Sequence, residues 1–277
     1  MYNLSKMYRE FFGLKEKPFN ITSDPNFLFL SRVHKEAFAH LLYGIRERKG
    51  FLEITGEVGA GKTTLCRALL SQLDRKTKSA FIFNSTLPEL QLLQAILEDY
   101  GVIVSGRSKV SMLRQLNGFL IEELSRGNNV VLIIDEAQNL KPSILEEIRM
   151  LSNLETDKEK LFQIILVGQP ELRNKLSSPG LKQLRQRISV RFHITPLEKD
   201  EIEKYIYHRL SVAGSTGRIT FSPDAIDCIY RFSGGIPRII NTVCDKALLA
   251  AYVAETREVT LPIIESSIQE IEGVLVR

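Results

Sequence analysis

The residues from Gly56 to Thr63, Gly-Glu-Val-Gly-Ala-Gly-Lys-Thr, restrict the fold of this chain more than any other stretch. They fit the pattern Gly, four residues, Gly-Lys-Thr of a phosphate-binding loop. Before the loop, Phe51, Leu52 and Ile54 read as a short buried strand; after it, Leu65, Ala68, Leu69 and Leu73 recur at helical spacing. The glycines thus join a strand to a helix N-terminus. At that junction Gly56, Gly59 and Gly61 can take backbone angles closed to other residues, and N–H groups can converge on one anion. The anion is expected to be a polyphosphate. Gly56, Glu57, Val58, Gly59, Ala60, Gly61, Lys62, Thr63 and Thr64 form its cradle, Lys62 as a point charge for the β and γ phosphates and Thr63 as a hydroxyl for Mg²⁺.

A loop of this kind requires a parallel sheet, and the chain supplies one. Ala80 to Asn84 reads as a second strand, followed by helices from about Glu89 to Tyr100 and Val110 to Leu124. Val130 to Ile134 is an unbroken apolar run, as expected of a strand covered on both faces, and ends in Asp135 and Glu136. Carboxylates there fall at the strand's C-terminal edge, where ligands of such sheets bind. Asp135 can face Mg²⁺ held at Thr63, leaving Glu136 to orient and polarise a water. Gln163 to Gln169 is a further buried strand that delivers Gln169 to the same edge, with a helix beginning at Pro170. Gln169 can touch the attacking water or the γ phosphate, or only cap that helix.

The flanks differ in character. Residues 1–31 are dense in aromatics and turn residues, including Phe11, Phe12, Phe19, Phe27 and Phe29, and suggest an irregular arm that either walls a ligand or simply packs. A helix over about Val33 to Arg48 follows. From Leu172 to Leu197 there is no acidic residue, whereas Arg173, Lys175, Lys182, Arg185, Arg187 and Arg191 all occur. Such a surface can complete a neighbouring subunit's site or meet a phosphate backbone. Beyond Pro196 the strand and helix alternation stops. Helices are readable at Lys199 to Val212, Pro223 to Phe232, Pro237 to Val253 and Pro262 to Ile271. Arg238 falls in the first turn of the third, against that helix's own dipole, which a phosphate partner explains.

The bulk properties narrow the class. With 277 residues, 44% of them hydrophobic, and a net charge of +4, the chain can bury a core, and it is not basic enough to demand a nucleic acid. Cys66, Cys228 and Cys244 are too widely spaced for a zinc site and read as reduced core residues, which points to the cytoplasm. The longest apolar run, Ala247 to Ala254, is far short of the roughly 20 residues of a spanning helix, so no membrane insertion is expected.

Together these motifs resemble an AAA+ ATPase, with the glutamine of the fourth strand as sensor one and Gly235 to Arg238 as sensor two. Within that superfamily Tyr8, Phe11-Phe12-Gly13-Leu14, Pro18-Phe19, Asp24-Pro25, Phe29-Leu30-Ser31, His34, Ala37 and Val167-Gly168-Gln169-Pro170-Glu171-Leu172 resemble the ExeA/GspA group. The resemblance implies a cytoplasmic, ATP- and Mg²⁺-dependent ATPase that assembles with copies of itself and serves a secretion or export system at the membrane. It also implies that Arg187, or Arg185 instead, acts as an arginine finger and that Asn84 restrains Glu136. The expected fold is an α/β domain over residues 32–196, a phosphate-loop parallel sheet flanked by helices, preceded by the arm and followed by a small all-helical lid over residues 197–277. The alternative reading is a nucleotide-switched DNA-binding adaptor of the transposition or origin-recognition type.

Overall fold

The fold was obtained as a computed structural model, which describes residues 4–83, 87–152 and 160–273. In chain order the elements are α1 (Leu4–Phe12), α2 (Arg32–Arg46), β1 (Phe51–Gly56), α3 (Lys62–Gln72), β2 (Thr77–Ile82), α4 (Glu89–Asp99), α5 (Lys109–Ser125), β3 (Asn129–Ile134), α6 (Pro142–Leu151), β4 (Gln163–Gly168), α7 (Pro170–Leu176), α8 (Lys182–Arg187) and β5 (Ile188–Ile194). There follow α9 (Lys199–Val212), β6 (Thr220–Phe221), α10 (Pro223–Ser233), α11 (Pro237–Val253), β7 (Glu258–Val259) and α12 (Leu261–Ile271). Two compact units result: residues 32–57 with 62–194, and residues 1–31 with 58–61 and 195–277.

The first unit is an α/β layer structure around a five-stranded sheet of order β2-β3-β4-β1-β5, and every strand pair in it is parallel. The central strands β1 and β4 are buried along their whole length, and β3 from Val130 onward. Alternation along β3 divides the burial between two faces. Val130, Leu132 and Ile134 join one core with Leu92, Leu93 and Ile96 of α4, Leu116 and Leu120 of α5, and Leu145 and Ile148 of α6. Helices α2 and α3 lie against the sheet as well, α2 on β1 and β5 and α3 on β1 and β4. The edge strands are only partly covered, and Lys78 and Ser79 of β2 are exposed. That edge character is why an apolar run marks β2 poorly: the strand begins three residues before Ala80.

The second unit is helical apart from β6 and β7, a two-residue parallel pair, so the lid is not wholly helical. Helices α9 to α12 carry their own start signals. Glu198 and Glu201 form a reciprocal capping box ahead of α9, Pro223 and Pro237 sit at the first positions of α10 and α11, and Gly234 ends α10 in the left-handed conformation. The arm is more ordered than its composition suggests. It contains α1, and Tyr8, Phe12, Phe19 and Phe27 share one core with Ile202 and Ile206 of α9 and Val243, Ala247 and Leu248 of α11. Packing, rather than an open aromatic wall, is what these rings do.

Candidate functional site

Because the sheet is parallel, the C-terminal ends of β1, β3 and β4 lie at one edge, and the chemistry is gathered there. β1 ends at Gly56 and α3 opens at Lys62. The Lys62 ammonium, buried, donates to the carbonyls of Gly56 and Glu57, each at 2.8 Å, so its charge lies folded along the loop. Burial pulls its pKa below the ordinary lysine value, while Glu136, Asp135 and Glu57 oppose that shift. One residue further, the Thr63 hydroxyl donates to Asp135 Oδ2 at 2.6 Å. Helix α3 and the end of strand β3 thus place a hydroxyl and a carboxylate side by side. The other oxygen of Asp135 accepts the Glu136 N–H at 2.9 Å. Burial raises the Asp135 pKa, and the hydrogen bonds from Thr63 and Glu136 work against it.

Glu136 has φ 52°, a left-handed backbone that a non-glycine residue takes only when its surroundings impose it. Its Oε2 accepts from Gln169 Nε2 at 3.1 Å and from Gln138 Nε2 at 2.5 Å. Gln169 therefore reaches the carboxylate next to Asp135, and its backbone N–H donates to Gln138 Oε1 at 3.1 Å. The Lys175 ammonium closes this corner by donating to the carbonyls of Gln138 and Leu140. Gln138 and Lys175 carry no motif of their own. Their only sequence signal is position, two residues past the β3 carboxylate and one turn into α7. His193 was equally silent: its ring pairs with the Thr55 hydroxyl at 3.0 Å beside the loop, and burial with nearby Arg173 lowers its pKa.

Arg185 and Arg187 are not brought to that edge. Arg187 ends α8 and its guanidinium donates to the Ser152 hydroxyl at 2.8 Å. It directly precedes Ile188, which pairs with Phe51 at the start of β1, so it lies at the amino edge of the sheet. Arg185, exposed, is on the same short helix, and its carbonyl accepts from Arg191. Arg191 in turn pairs with Glu53 at 3.5 Å, a buried carboxylate of β1 whose pKa burial raises against Arg191, Arg173 and Arg185. In the second unit, the Arg238 N–H donates to the carbonyl of Gly59, the loop tip, at 3.2 Å. Gly59 has φ 81° and a side chain there would meet Arg238 Cβ at 2.5 Å, so only glycine fits. Asn84 lies outside the described residues.

Comparisons with known proteins agree with this geometry. Residues 45–176 match the AAA domain family. The chain is 44% identical over 269 residues to general secretion pathway protein A of Aeromonas hydrophila, an alignment covering 97% of this chain and 49% of that protein. The chain therefore spans about half the length of that relative. Among solved structures, the Aeropyrum pernix ORC2 protein in ADPNP–ADP complexes superposes with a TM-score of 0.71 at 17% identity, covering 92% of this chain and 72% of that one. Drosophila ORC bound to DNA gives 0.64 at 17% identity, covering 98% and 66%. At such identities the likeness is one of fold. With an AAA domain at its centre and 44% identity along 97% of its own length to about half of general secretion pathway protein A, the chain is an AAA-domain protein similar to that secretion protein.

Proposed function

We propose that the chain binds ATP with Mg²⁺ and hydrolyses it to drive a change in its own assembly, in the service of a secretion or export system. The observation that carries the reading is the 2.6 Å contact between Thr63 Oγ1 and Asp135 Oδ2, beside the buried Lys62 at the carboxyl edge of a parallel sheet. The donor set fits a hard cation: two oxygens, one anionic, with the nearby Cys66 thiol pushed far up by burial and so kept protonated. Thr63 and Asp135 would hold Mg²⁺, which neutralises charge on the phosphates when bound. Lys62 exchanges its two loop carbonyls for phosphate oxygens. Glu136 orients water by accepting its proton, Gln169 lies against that carboxylate, and Arg238 senses the γ phosphate. Asn84 and the finger Arg187 complete the assignment on the strength of the family resemblance. The place of action is the cytoplasmic side of a membrane-associated partner. No helix among the described residues is long and apolar enough to cross a membrane.

Titration with a fluorescent ATP analogue, with and without Mg²⁺, tests the first half. Lys62→Ala should lose binding, whereas Glu136→Gln should bind with normal affinity and release phosphate at least a hundredfold more slowly. Absence of Mg²⁺-dependent affinity at millimolar nucleotide overturns the reading.

The basic stretch of residues 172–197 supports a second reading, a nucleotide-switched adaptor on DNA. Much of that charge has internal partners, since Lys175 holds two carbonyls, Arg187 a hydroxyl and Arg191 a carboxylate. Filter binding across a salt series decides, because phosphate-driven affinity must fall steeply as salt rises.

A further inference from the structure

Gln138 lies between the Glu136 carboxylate and the end of β4. Its amide is used at both ends. Nε2 donates to Glu136 Oε2 at 2.5 Å, and Oε1 accepts the backbone N–H of Gln169 at 3.1 Å. Only one orientation of the amide satisfies both, because a carboxylate needs a donor and a backbone N–H needs an acceptor. The backbone of Gln138 is fixed as well, its carbonyl held by the Lys175 ammonium. A further observation comes from β4. A side chain at Gly168 would approach Gln138 Oε1 to 2.8 Å and Leu172 Cδ2 to 2.9 Å, so the strand leaves room for this amide and for Leu172 by having none.

We propose that Gln138 is a positioning residue for hydrolysis, a two-ended amide that ties the water-orienting carboxylate of Glu136 to the end of β4 at Gln169. The inference rests on the reading of Glu136 given above and extends it to a residue outside the phosphate loop, the acidic pair and the sensor strand. Two amide donors, from Gln138 and Gln169, converge on one oxygen of Glu136, whose left-handed backbone already restricts where its side chain can go. Remove one donor and the carboxylate gains freedom at the point where its direction matters. A misplacement of about 1 Å at a reacting centre costs on the order of a hundredfold in rate. Gln138 touches neither phosphate nor metal in this assignment, so its loss falls on turnover and leaves nucleotide affinity alone.

Three variants read this out by ATP hydrolysis and nucleotide titration on the full chain. Gln138→Met keeps the bulk and removes both polar ends; kcat should fall about tenfold to a hundredfold with nucleotide affinity within twofold of wild type. Gln138→Glu is isosteric and titratable. With its carboxyl protonated, the new group donates to Glu136 and accepts from Gln169 as the amide does. Ionised, it faces a like charge. Its activity relative to wild type should therefore rise as pH falls from 8 towards 5. The charged groups that bear on that titration are Glu136 itself, Asp135, Lys62 and Lys175; all are present in both proteins, and in the variant Glu136 and the new carboxyl titrate as a coupled pair, which is what the ratio reports. Gly168→Ala, which crowds both the amide and Leu172 from β4, should lower kcat without altering affinity. Equal kcat in wild type and Gln138→Met, or a pH-independent ratio for Gln138→Glu in a folded protein, overturns the proposal. A wild-type chain that binds no nucleotide overturns the underlying reading instead.

Discussion

Asp135 illustrates how a residue chosen for chemistry can work against the fold that holds it. It is buried, and its pKa is raised above 3.8, chiefly by desolvation. A carboxyl whose folded pKa exceeds its unfolded value binds more protons when folded. Stability is thus lost as pH climbs from about 3.8 through the raised pKa, and stays lost at neutrality. Asp135→Asn removes the charge without orphaning a donor. The amide oxygen can keep the Glu136 N–H, and the amide N–H₂ can donate to Thr63, whose hydroxyl accepts as readily as it donates. The variant should melt higher than wild type at pH 7 by about 2–4 °C, roughly 1 kcal/mol in a domain of this size. The advantage should vanish near pH 3, and Mg²⁺-dependent nucleotide binding should be lost. A lower melting temperature at pH 7 would show that the charged carboxylate stabilises the fold. Residues of this sort were legible because their types are fixed by chemistry: a lysine after glycine, a hydroxyl, a carboxylate closing an apolar run. Gln138, Lys175 and His193 were not, since a glutamine, a lysine or a histidine near a strand end is common and only the folded chain shows which partner it meets.

Among the elements, the N-terminal arm is integral to the helical unit. Tyr8, Phe12, Phe19 and Phe27 are buried in that unit's core, and Tyr8 donates its hydroxyl to Asp245 of α11 at 3.0 Å. Arg209 of α9, also buried, anchors the irregular part. It donates to the carbonyls of Pro18 and Asn20 at 2.6 and 2.9 Å, and its guanidinium lies 4.7 Å from the centre of the Phe27 ring. Truncating one partner of buried, charge-assisted bonds leaves the others unsatisfied, which costs about 1–3 kcal/mol for each group. Arg209→Ala should therefore lower the melting temperature by several degrees and open residues 13–31 to protease, and Arg209→Lys should not restore it, having one point charge where a fork is needed. Deleting residues 1–31 should leave the helical unit insoluble; a soluble deletion with unchanged melting would reduce the arm to an appendage. The same elements show where sequence reading succeeds. Strands β3 and β4 carry unbroken apolar runs, Val130 to Ile134 and Ile164 to Val167, because helices cover both faces, and α9 and α11 announce themselves through a capping box and a proline. Helix α1 was hidden by its aromatics, which look irregular until Tyr8 and Phe12, one turn apart, are seen to share a core. Helix α6 carried a plain signal, Pro142 at its first turn and then Ile144, Leu145, Ile148 and Leu151 on one face.

At the scale of the whole molecule the question is what brings a positive charge to the γ phosphate. Arg187 precedes β5 at the amino edge of the sheet, whereas Gly56, paired with Ile194 at the far end of β5, starts the phosphate loop. A strand of this length rises about 3.3 Å per residue, so roughly 20 Å separates them. An arginine so placed cannot serve its own loop. If it serves one at all, the loop belongs to a second copy of the chain, and turnover becomes a property of the assembly. In phosphoryl transfer such an arginine is worth about 10³ to 10⁵ in rate. Specific activity should then rise with protein concentration, and Arg187→Ala should bind nucleotide normally while hydrolysing it at least a hundredfold more slowly. Its bond to Ser152 tests whether that loss is merely structural: Ser152→Ala removes the same contact and should retain most activity. Mixing is more decisive. Glu136→Gln lacks the carboxylate proposed to orient water but keeps its arginine, and Arg187→Ala lacks the arginine but keeps the loop and its carboxylate. Combined, they should recover activity that neither has alone, because one interface in the mixed assembly carries both groups. No recovery, with Arg185→Ala showing the loss expected of Arg187→Ala, would move the finger two residues back along α8; no recovery and no dependence on concentration would mean that each chain hydrolyses alone.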